Sequence, residues 1–136
     1  MRLAVANFLI AAAVCSSGQA AKVDRDLRDK VLHHARCATV YAAASRMNGV
    51  VDDPIVSFGD SSALLEFVQM NQDIDRAEEK ERASLRNLAW VEQNSSIGAI
   101  TRAIANSKDA EAVRVVFEKL FALCKTKPGG KVADDD

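Results

Sequence analysis

Proline is almost absent from this chain, and its scarcity limits most of the sequence to helices and the turns between them. The only prolines are Pro54 and Pro128. The long intervals around them are rich in Ala, Leu, Glu, Arg and Lys, which are among the residues with the highest helix propensity. Apolar residues recur there every three or four positions, which is the period of an amphipathic helix. The sequence therefore predicts an all-α domain.

The first 20 residues have the pattern of a cleaved export signal. Arg2 gives a positively charged start, residues 3–14 form an almost unbroken apolar run, and residues 18–20 place small side chains at the cleavage positions. The run is only about a dozen residues long, whereas a membrane-spanning helix needs about 20. We therefore expect cleavage after Ala20, no stable membrane anchor afterwards, and a mature protein in the periplasm or outside the cell.

Cleavage would also reduce the three cysteines to two, because Cys15 lies within the signal. Exported proteins meet an oxidising environment, where the remaining Cys37 and Cys124 can pair. Each falls on the apolar face of its own predicted helix, so we expect a disulfide between the first helix and the last. Closing a loop of about 90 residues would stabilise the fold by roughly 4–5 kcal/mol in the loop-entropy model. The alternatives are two buried thiols or a reactive redox pair.

The first half of the predicted domain, which spans residues 21–127, contains one clear helix and an irregular connector. The helix runs from about Asp24 to Met47 and ends at residues 48–49 (Asn-Gly), which tolerate the left-handed backbone of a helix end. Residues 50–59 around Pro54 then predict a connector that packs on the bundle, since several of them are apolar. Asp60, Ser61 or Ser62 would cap the next helix.

Three further helices complete the predicted four-helix, bundle-like fold. One continues from the cap to about Gln93; a break near its charged middle is the alternative, but nothing in the sequence forces one. Residues 94–96 predict a turn before a short helix over 97–104. The last helix runs from Lys108 to about Thr126, capped by residues 106–107. Residues 128–136 predict a flexible acidic tail.

Charge and motif content weigh against several classes of function. Without Arg2 the 18 basic residues become 17, against 19 acidic ones, so no basic excess is available for nucleic acid. The chain has no CxxCH haem motif and no phosphate-binding loop. His33 and His34 are adjacent, so on a helix they point about 100° apart and cannot easily chelate one metal. His34 is interpreted as a hydrogen-bonded core residue. We expect no cofactor, no metal and no enzymatic activity.

A run of alternating charges from Asp73 to Arg82 is the most polar stretch of the chain. Such alternation is typical of a solvated, ion-paired helix face rather than of an acid and base in an apolar cleft. If this face has a role, docking of a partner is favoured over chemistry. Trp90 is expected at the core edge, although an exposed Trp would instead mark a contact surface. The expected partner surface comprises Asp73, Asp75, Arg76, Glu78, Glu79, Lys80, Arg82 and Trp90.

The leading functional hypothesis is non-catalytic binding of another protein in the cell envelope or outside the cell. An inhibitor, an immunity protein or an accessory factor would fit it. One alternative is a periplasmic stress chaperone that opens in acid, because protonating its many carboxylates would make it strongly cationic. Another is a helical bundle that carries a ligand or a metal. The oligomeric state stays open at this stage.

Overall fold

Four α-helices make up residues 24–126, the part of the chain described by a computed structural model. No β-strand occurs within that range, so the predicted all-α, four-helix bundle is confirmed. The predicted signal peptide and C-terminal tail lie outside the described residues. Over the described range, no helix is long and apolar enough to cross a membrane. The helices are α1 (Arg25–Ser45), α2 (Asp53–Arg76), α3 (Glu79–Ala105) and α4 (Ala110–Cys124).

Helix α1 is the centre of the bundle and matches the predicted first helix. Asp24 caps it, since its side chain accepts a hydrogen bond of 3.0 Å from the backbone N–H of Asp26. The helix packs against α2, α3 and α4, whereas α2 and α3 make few direct contacts with each other. The position of α1 therefore fixes where the other three helices can lie.

Helix α2 begins earlier than the sequence predicts, and the expected irregular connector over residues 50–59 is wrong. Pro54 lies in the first turn, where its fixed φ suits a helix and its missing N–H costs nothing. The predicted caps at 60–62 therefore lie inside the helix. Gly59 brings α2 close to α1, because a Cβ there would lie 2.6 Å from the carbonyl oxygen of Tyr41. The expectation that this segment packs on the bundle is confirmed by Val51 and Ile55 in the core.

The predicted long helix from residue 60 to 93 is wrong, because it breaks at Ala77. Ala77 adopts an extended backbone, and Arg82 folds back to donate 3.0 and 3.2 Å hydrogen bonds to the carbonyl oxygens of Ala77 and Asp75. The break turns α3 back along α1, which buries Leu85 and Ala89. A continuous helix would carry those residues away from the core, so burial favours the turn.

Helix α3 runs through residues 94–96, where the sequence predicts a turn. The Asn94 side chain donates a 2.8 Å hydrogen bond to the carbonyl oxygen of Trp90, one turn earlier. Polar side chains that favour turns can also bond back in this way within a helix. The predicted short helix over 97–104 is therefore the end of α3. The last helix begins slightly later than expected, and Asp109 caps it by accepting 2.8 Å from the N–H of Ala112.

The core of the described residues consists of two clusters along α1, and a disulfide joins α1 to α4. The Cα atoms of Cys37 and Cys124 are 5.7 Å apart, and the predicted bond between α1 and α4 is confirmed. The larger cluster surrounds the fully buried Phe117 and contains residues of all four helices. The smaller cluster joins α1, α2 and α3 near the α2–α3 turn. Its buried members are Val31, Ala35, Met70, Ile74, Ala77, Leu85 and Ala89.

Candidate functional site

An open groove runs between α2 and α3, with α1 as its floor. It exists because both helices pack on α1 but touch each other little. Its volume is about 740 Å³. Its walls are Asp60, Ala63, Leu64 and Phe67 of α2, and Gln93, Ile97, Ile100, Thr101 and Ile104 of α3. Its floor is Ala38, Thr39, Ala42, Ala43, Arg46 and Met47 of α1. We call this feature the α2–α3 groove.

The floor of the α2–α3 groove is made largely of alanine. Ala38, Ala42 and Ala43 carry only methyl groups, so the middle of the groove is open down to the surface of α1. Small residues at such positions let another helix approach closely, because interaxial distance depends on the side chains at the contact. The walls supply larger aliphatic and aromatic side chains. The groove is thus bounded by helices on three sides and open on the fourth.

Helix α2 carries an exposed apolar surface beside this groove. Leu64 is 69% exposed and Leu65 is 61% exposed, and Phe67 and Val68 are also exposed. We call these four residues the α2 strip. Leu64 and Phe67 line the α2–α3 groove, whereas Leu65 and Val68 lie outside it. Neighbouring large apolar side chains that are this exposed are uncommon on the surface of a soluble monomer.

No charged side chain is exposed beside the α2 strip, because the one ionisable residue in this part of α2 points toward α1. Between Asp60 and Asp73 the only charged residue is Glu66. Its carboxylate turns inward and contacts Nδ1 of His34 on α1. The usual arrangement of an amphipathic helix, with charges outward and apolar residues inward, is therefore reversed over this part of α2.

His34 is enclosed by two carboxylates from α2. Besides Glu66 at Nδ1, the Oδ2 atom of Asp73 lies 3.5 Å from Nε2, an ion-pair contact rather than a hydrogen bond. Asp73 is only 3% exposed, and Arg76 Nη1 lies 3.4 Å from its other oxygen. The predicted hydrogen bonding of His34 is confirmed, but the residue is only partly buried and lies outside both core clusters.

This cluster of His34, Glu66 and Asp73 holds α2 against α1 and offers little chemistry. Because each ring nitrogen of His34 already faces a carboxylate, neither is free to take a substrate proton or to bind a metal. Across residues 24–126, no three His, Cys, Asp or Glu side chains are placed to hold a metal ion. The cluster is best understood as the contact that fixes the rotation of α2.

His33, the neighbour of His34, lies beside the disulfide. Its Nε2 atom is 3.9 Å from the Sγ of Cys37. Burial, followed by the adjacent His34, lowers the pKa of the His33 imidazole. The neutral form of His33 is therefore favoured in the folded protein.

No family model, no curated protein and no solved structure matches this chain. The functional assignment therefore depends on the residues described here and their geometry.

The structure disperses the charged residues that the sequence groups into one partner surface. Asp73 is buried against His34, and Arg82 is engaged with the carbonyl groups that end α2. Asp75, Glu78, Glu79 and Lys80 are exposed at the α2–α3 turn, where Lys80 lies 3.5 Å from Glu78. Arg76 is exposed and reaches back to Asp73. Much of the charged run therefore builds and caps the turn.

Trp90 is 64% exposed, so the expectation that it lies at the core edge is wrong and the exposed alternative describes it. It lies about three helical turns into α3, away from the charged turn. Trp90 and Ile97 are seven residues apart and so share one face of α3. Ile97 lines the α2–α3 groove. Trp90 therefore extends the apolar wall of the groove rather than the charged surface.

Sequence reasoning missed the α2–α3 groove and the α2 strip. The sequence predicts a helix through Leu64, Leu65, Phe67 and Val68 but does not indicate which face of that helix is buried. One signal was present: Glu66 and Asp73 are seven residues apart and therefore share a helix face. Leu64, Leu65 and Val68 lie on other faces of the same helix. If the acidic face is buried, these apolar residues must point outward.

Proposed function

We propose that this protein acts without catalysis, by holding an uncharged apolar helix of a protein partner in the α2–α3 groove. The observation that carries the proposal is the reversed α2 segment, whose charge lies inside and whose apolar residues lie outside. Exposed apolar residues beside a groove with an alanine floor are suited to receive another helix.

The chemistry of the groove specifies an uncharged occupant. Residues 61–72 of α2 contain Glu66 as their only charge, and residues 93–101 of α3 contain none. A charged side chain placed between such walls would lose its hydration without gaining a partner, which is costly. Arg46 and Asp60 lie at the edge of the groove and offer one charge of each sign there. The preferred occupant is thus a helix with an aliphatic face and with its polar residues outside the groove.

A helix fits this surface better than a small apolar molecule. The floor extends from Ala38 to Met47, about 14 Å along α1, with a helix forming each wall. A small molecule within the groove would leave Leu65, Val68 and Trp90 in water. A protein partner extends over these residues as well, which is the arrangement of a helix-in-groove interface.

The disulfide supports export of the protein to an oxidising compartment. Disulfides persist in secreted and periplasmic proteins and are rare in reducing cytosol. We infer that the mature protein begins after Ala20 and works in the periplasm or outside the cell. Intact mass before and after thiol alkylation tests both points: the expected protein lacks the first 20 residues and gains no alkyl group. A retained leader, or alkylation without prior reduction, would contradict this inference.

Trp90 provides a direct test of helix binding, because it is the only tryptophan. The probe is a synthetic helical peptide with leucines at positions i, i+3, i+4 and i+7, glutamine and alanine elsewhere, and lysines only at its ends. Titration should shift the Trp90 emission to shorter wavelength, because the peptide removes water from the indole. A second peptide with two lysines on the leucine face should not bind.

Two matched variants add the same side-chain volume, one inside the groove and one outside it. Ala42→Leu fills the groove floor and should weaken peptide binding at least tenfold. Ala122→Leu makes the same change at an exposed position of α4 and should leave binding unchanged. Equal binding by both variants, or no binding of 100 μM peptide to protein dilute enough to be monomeric, would count against the proposal. If a small apolar ligand displaces the peptide, the result would favour a protein that carries such a ligand.

Acid-conditional chaperoning is a second candidate, supported by the cluster of His34, Glu66 and Asp73. In acid the protein becomes strongly cationic, because it contains 19 acidic residues, and repulsion between like charges favours partial opening at the contact between α1 and α2. Helix α2 could then detach and expose further apolar surface to a client. Binding of an apolar-sensitive dye should rise at low pH, and in Glu66→Gln it should rise at a higher pH. An unchanged dye profile in Glu66→Gln would exclude this route.

A further inference from the structure

We propose that the helix held in the α2–α3 groove is α2 of a second copy of this chain, so that two copies insert their α2 helices into each other's grooves. This inference rests on the proposed function, since the same groove takes the helix, and it identifies the partner. The resulting dimer has two-fold symmetry, because each copy supplies one groove and one inserted helix.

The first support is that α2 is apolar on nearly every side between residues 63 and 68. Ala63 and Phe67 face the groove, and the exposed Leu64, Leu65 and Val68 cover the rest of the outer surface. A helix that is apolar all round is normally buried all round. A single helix seated in the groove contacts Leu64 and Phe67, whereas covering Leu65 and Val68 also requires further surface of the partner.

Reciprocal insertion covers all of these residues at once. Helix α2 of one copy lies in the partner's groove, so its outer side meets the partner's α1 floor and its flanks meet the partner's α2 and α3. The same contacts form in the opposite direction by symmetry. One interface therefore buries the groove and the α2 strip of both copies.

The available area is sufficient for a stable dimer. A standard interface buries about 800 Å² on each partner, of which somewhat more than half, about 450 Å², is apolar. An aromatic side chain buries about 150–250 Å², so the roughly half-exposed Phe67 and Trp90 offer about 100 Å² each, and the exposed aliphatic side chains beside them offer somewhat less. Six such residues flank or line the groove, which is enough for the apolar part. They are Leu64, Leu65, Phe67, Val68, Trp90 and Ile97.

The charge pattern permits a two-fold contact. A symmetric interface brings identical surfaces together, so any exposed charge near its axis meets its own copy and is repelled. Glu66 is the only charge over residues 61–72, and it faces His34 within its own chain. No like charges therefore oppose each other along this part of α2.

Sedimentation equilibrium of the oxidised protein between 1 and 100 μM tests the dimer. The wild-type protein should sediment as a dimer at the upper concentrations. Leu65→Glu should shift the dimer dissociation constant upward by at least 100-fold. Leu123→Glu is the matched control, because Leu123 on α4 has the same exposure, 61%, and lies outside the groove and the α2 strip. Circular dichroism and thermal unfolding confirm that each variant is folded.

Mixing two defective variants tests reciprocity. Leu65→Glu damages the inserted helix but leaves the groove open, whereas Ala42→Leu fills the groove but leaves the inserted helix intact. Each variant alone should be monomeric. A mixture should form a heterodimer, weaker than the wild-type dimer, because one of the two insertions is restored. Fluorescent labelling of one variant makes this species visible in the centrifuge.

The outcomes separate this inference from the proposed function. A wild-type monomer at 100 μM overturns the dimer, and so does a dimer that Leu65→Glu leaves unchanged. A mixture that stays monomeric overturns reciprocal insertion. In any of these cases the proposed function survives if the synthetic peptide still shifts the emission of Trp90. Failure of peptide binding to the monomeric Leu65→Glu variant, whose groove is open, would instead overturn the proposed function.

Discussion

The carboxylate of Glu66 contacts Nδ1 of His34, and this single contact across the α1–α2 interface explains why the apolar residues beside Glu66 face water. Helix rotation is shared by all residues of a helix, so turning Glu66 inward turns Leu64, Leu65 and Val68 outward. Asp73 supports the same rotation from the other ring nitrogen. The exposed apolar surface of α2 is therefore a consequence of a polar contact inside the bundle.

Glu66→Gln should destabilise the fold more than Glu92→Gln. Both changes remove one charge from an ion pair with a residue of α1. The His34–Glu66 pair is largely buried, so its loss should cost about 1.5–3 kcal/mol. Arg36, the partner of Glu92, is more than half exposed, so that pair should contribute only about 0–1 kcal/mol. Urea unfolding measures both, and equal losses would show that the His34 contact does not hold α2.

Removing the disulfide should lower the free energy of unfolding by about 2–5 kcal/mol. The bond between Cys37 and Cys124 closes a loop with a sequence separation of 87, which reduces the entropy of the unfolded chain. The double variant Cys37→Ala/Cys124→Ala should show this loss in urea unfolding. Added reductant should reduce wild-type stability to a similar level and leave the double variant unaffected. A reductant effect on the double variant would assign the loss to something other than the bond.

Two glycines should respond to alanine in opposite ways. At Gly59 a Cβ would lie 2.6 Å from the carbonyl oxygen of Tyr41, so α2 must move away from α1 and stability should fall by about 1–3 kcal/mol. At Gly98 the nearest atom is the end of the flexible Arg102 side chain at 3.5 Å, so Gly98→Ala should stabilise α3 by up to about 1 kcal/mol. Thermal unfolding checks both. A neutral Gly59→Ala would contradict the close approach of the two helices.

His33 should make the fold less stable in mild acid. Burial lowers the pKa of its imidazole, so folding favours the neutral ring. This contribution is complete above the ordinary pKa of about 6.5 and is lost as the pH falls through the lower folded value. His33→Gln cannot take up the proton. The urea midpoint of the wild-type protein should therefore fall relative to that of His33→Gln between pH 8 and pH 5. Parallel pH profiles for the two proteins would refute the role of His33.

Local patterns predicted which segments are helical better than where the helices begin and end. Asp24 and the apolar face of α1 were sufficient to place the first helix and its cysteine. The turn at Ala77 was missed, because helix propensity continues through it and the burial of Leu85 against other helices decides the break. The turn predicted at residues 94–96 was wrong, because residues that favour turns are accommodated within a helix there. The Asn94 side chain donates a hydrogen bond to the carbonyl oxygen of Trp90, and α3 continues.

The sequence alone determined the helical class and placed Cys37 and Cys124 inward on the first and last helices, because periodicity is a local property that sets which residues share a face. Only the tertiary structure decided which face of α2 is buried. Glu66 and Asp73 on that face found His34 on α1, and the gain from pairing buried charges outweighed the exposure of Leu64 and Leu65. That choice depends on residues 32 or more positions apart in the chain, and no local pattern contains it.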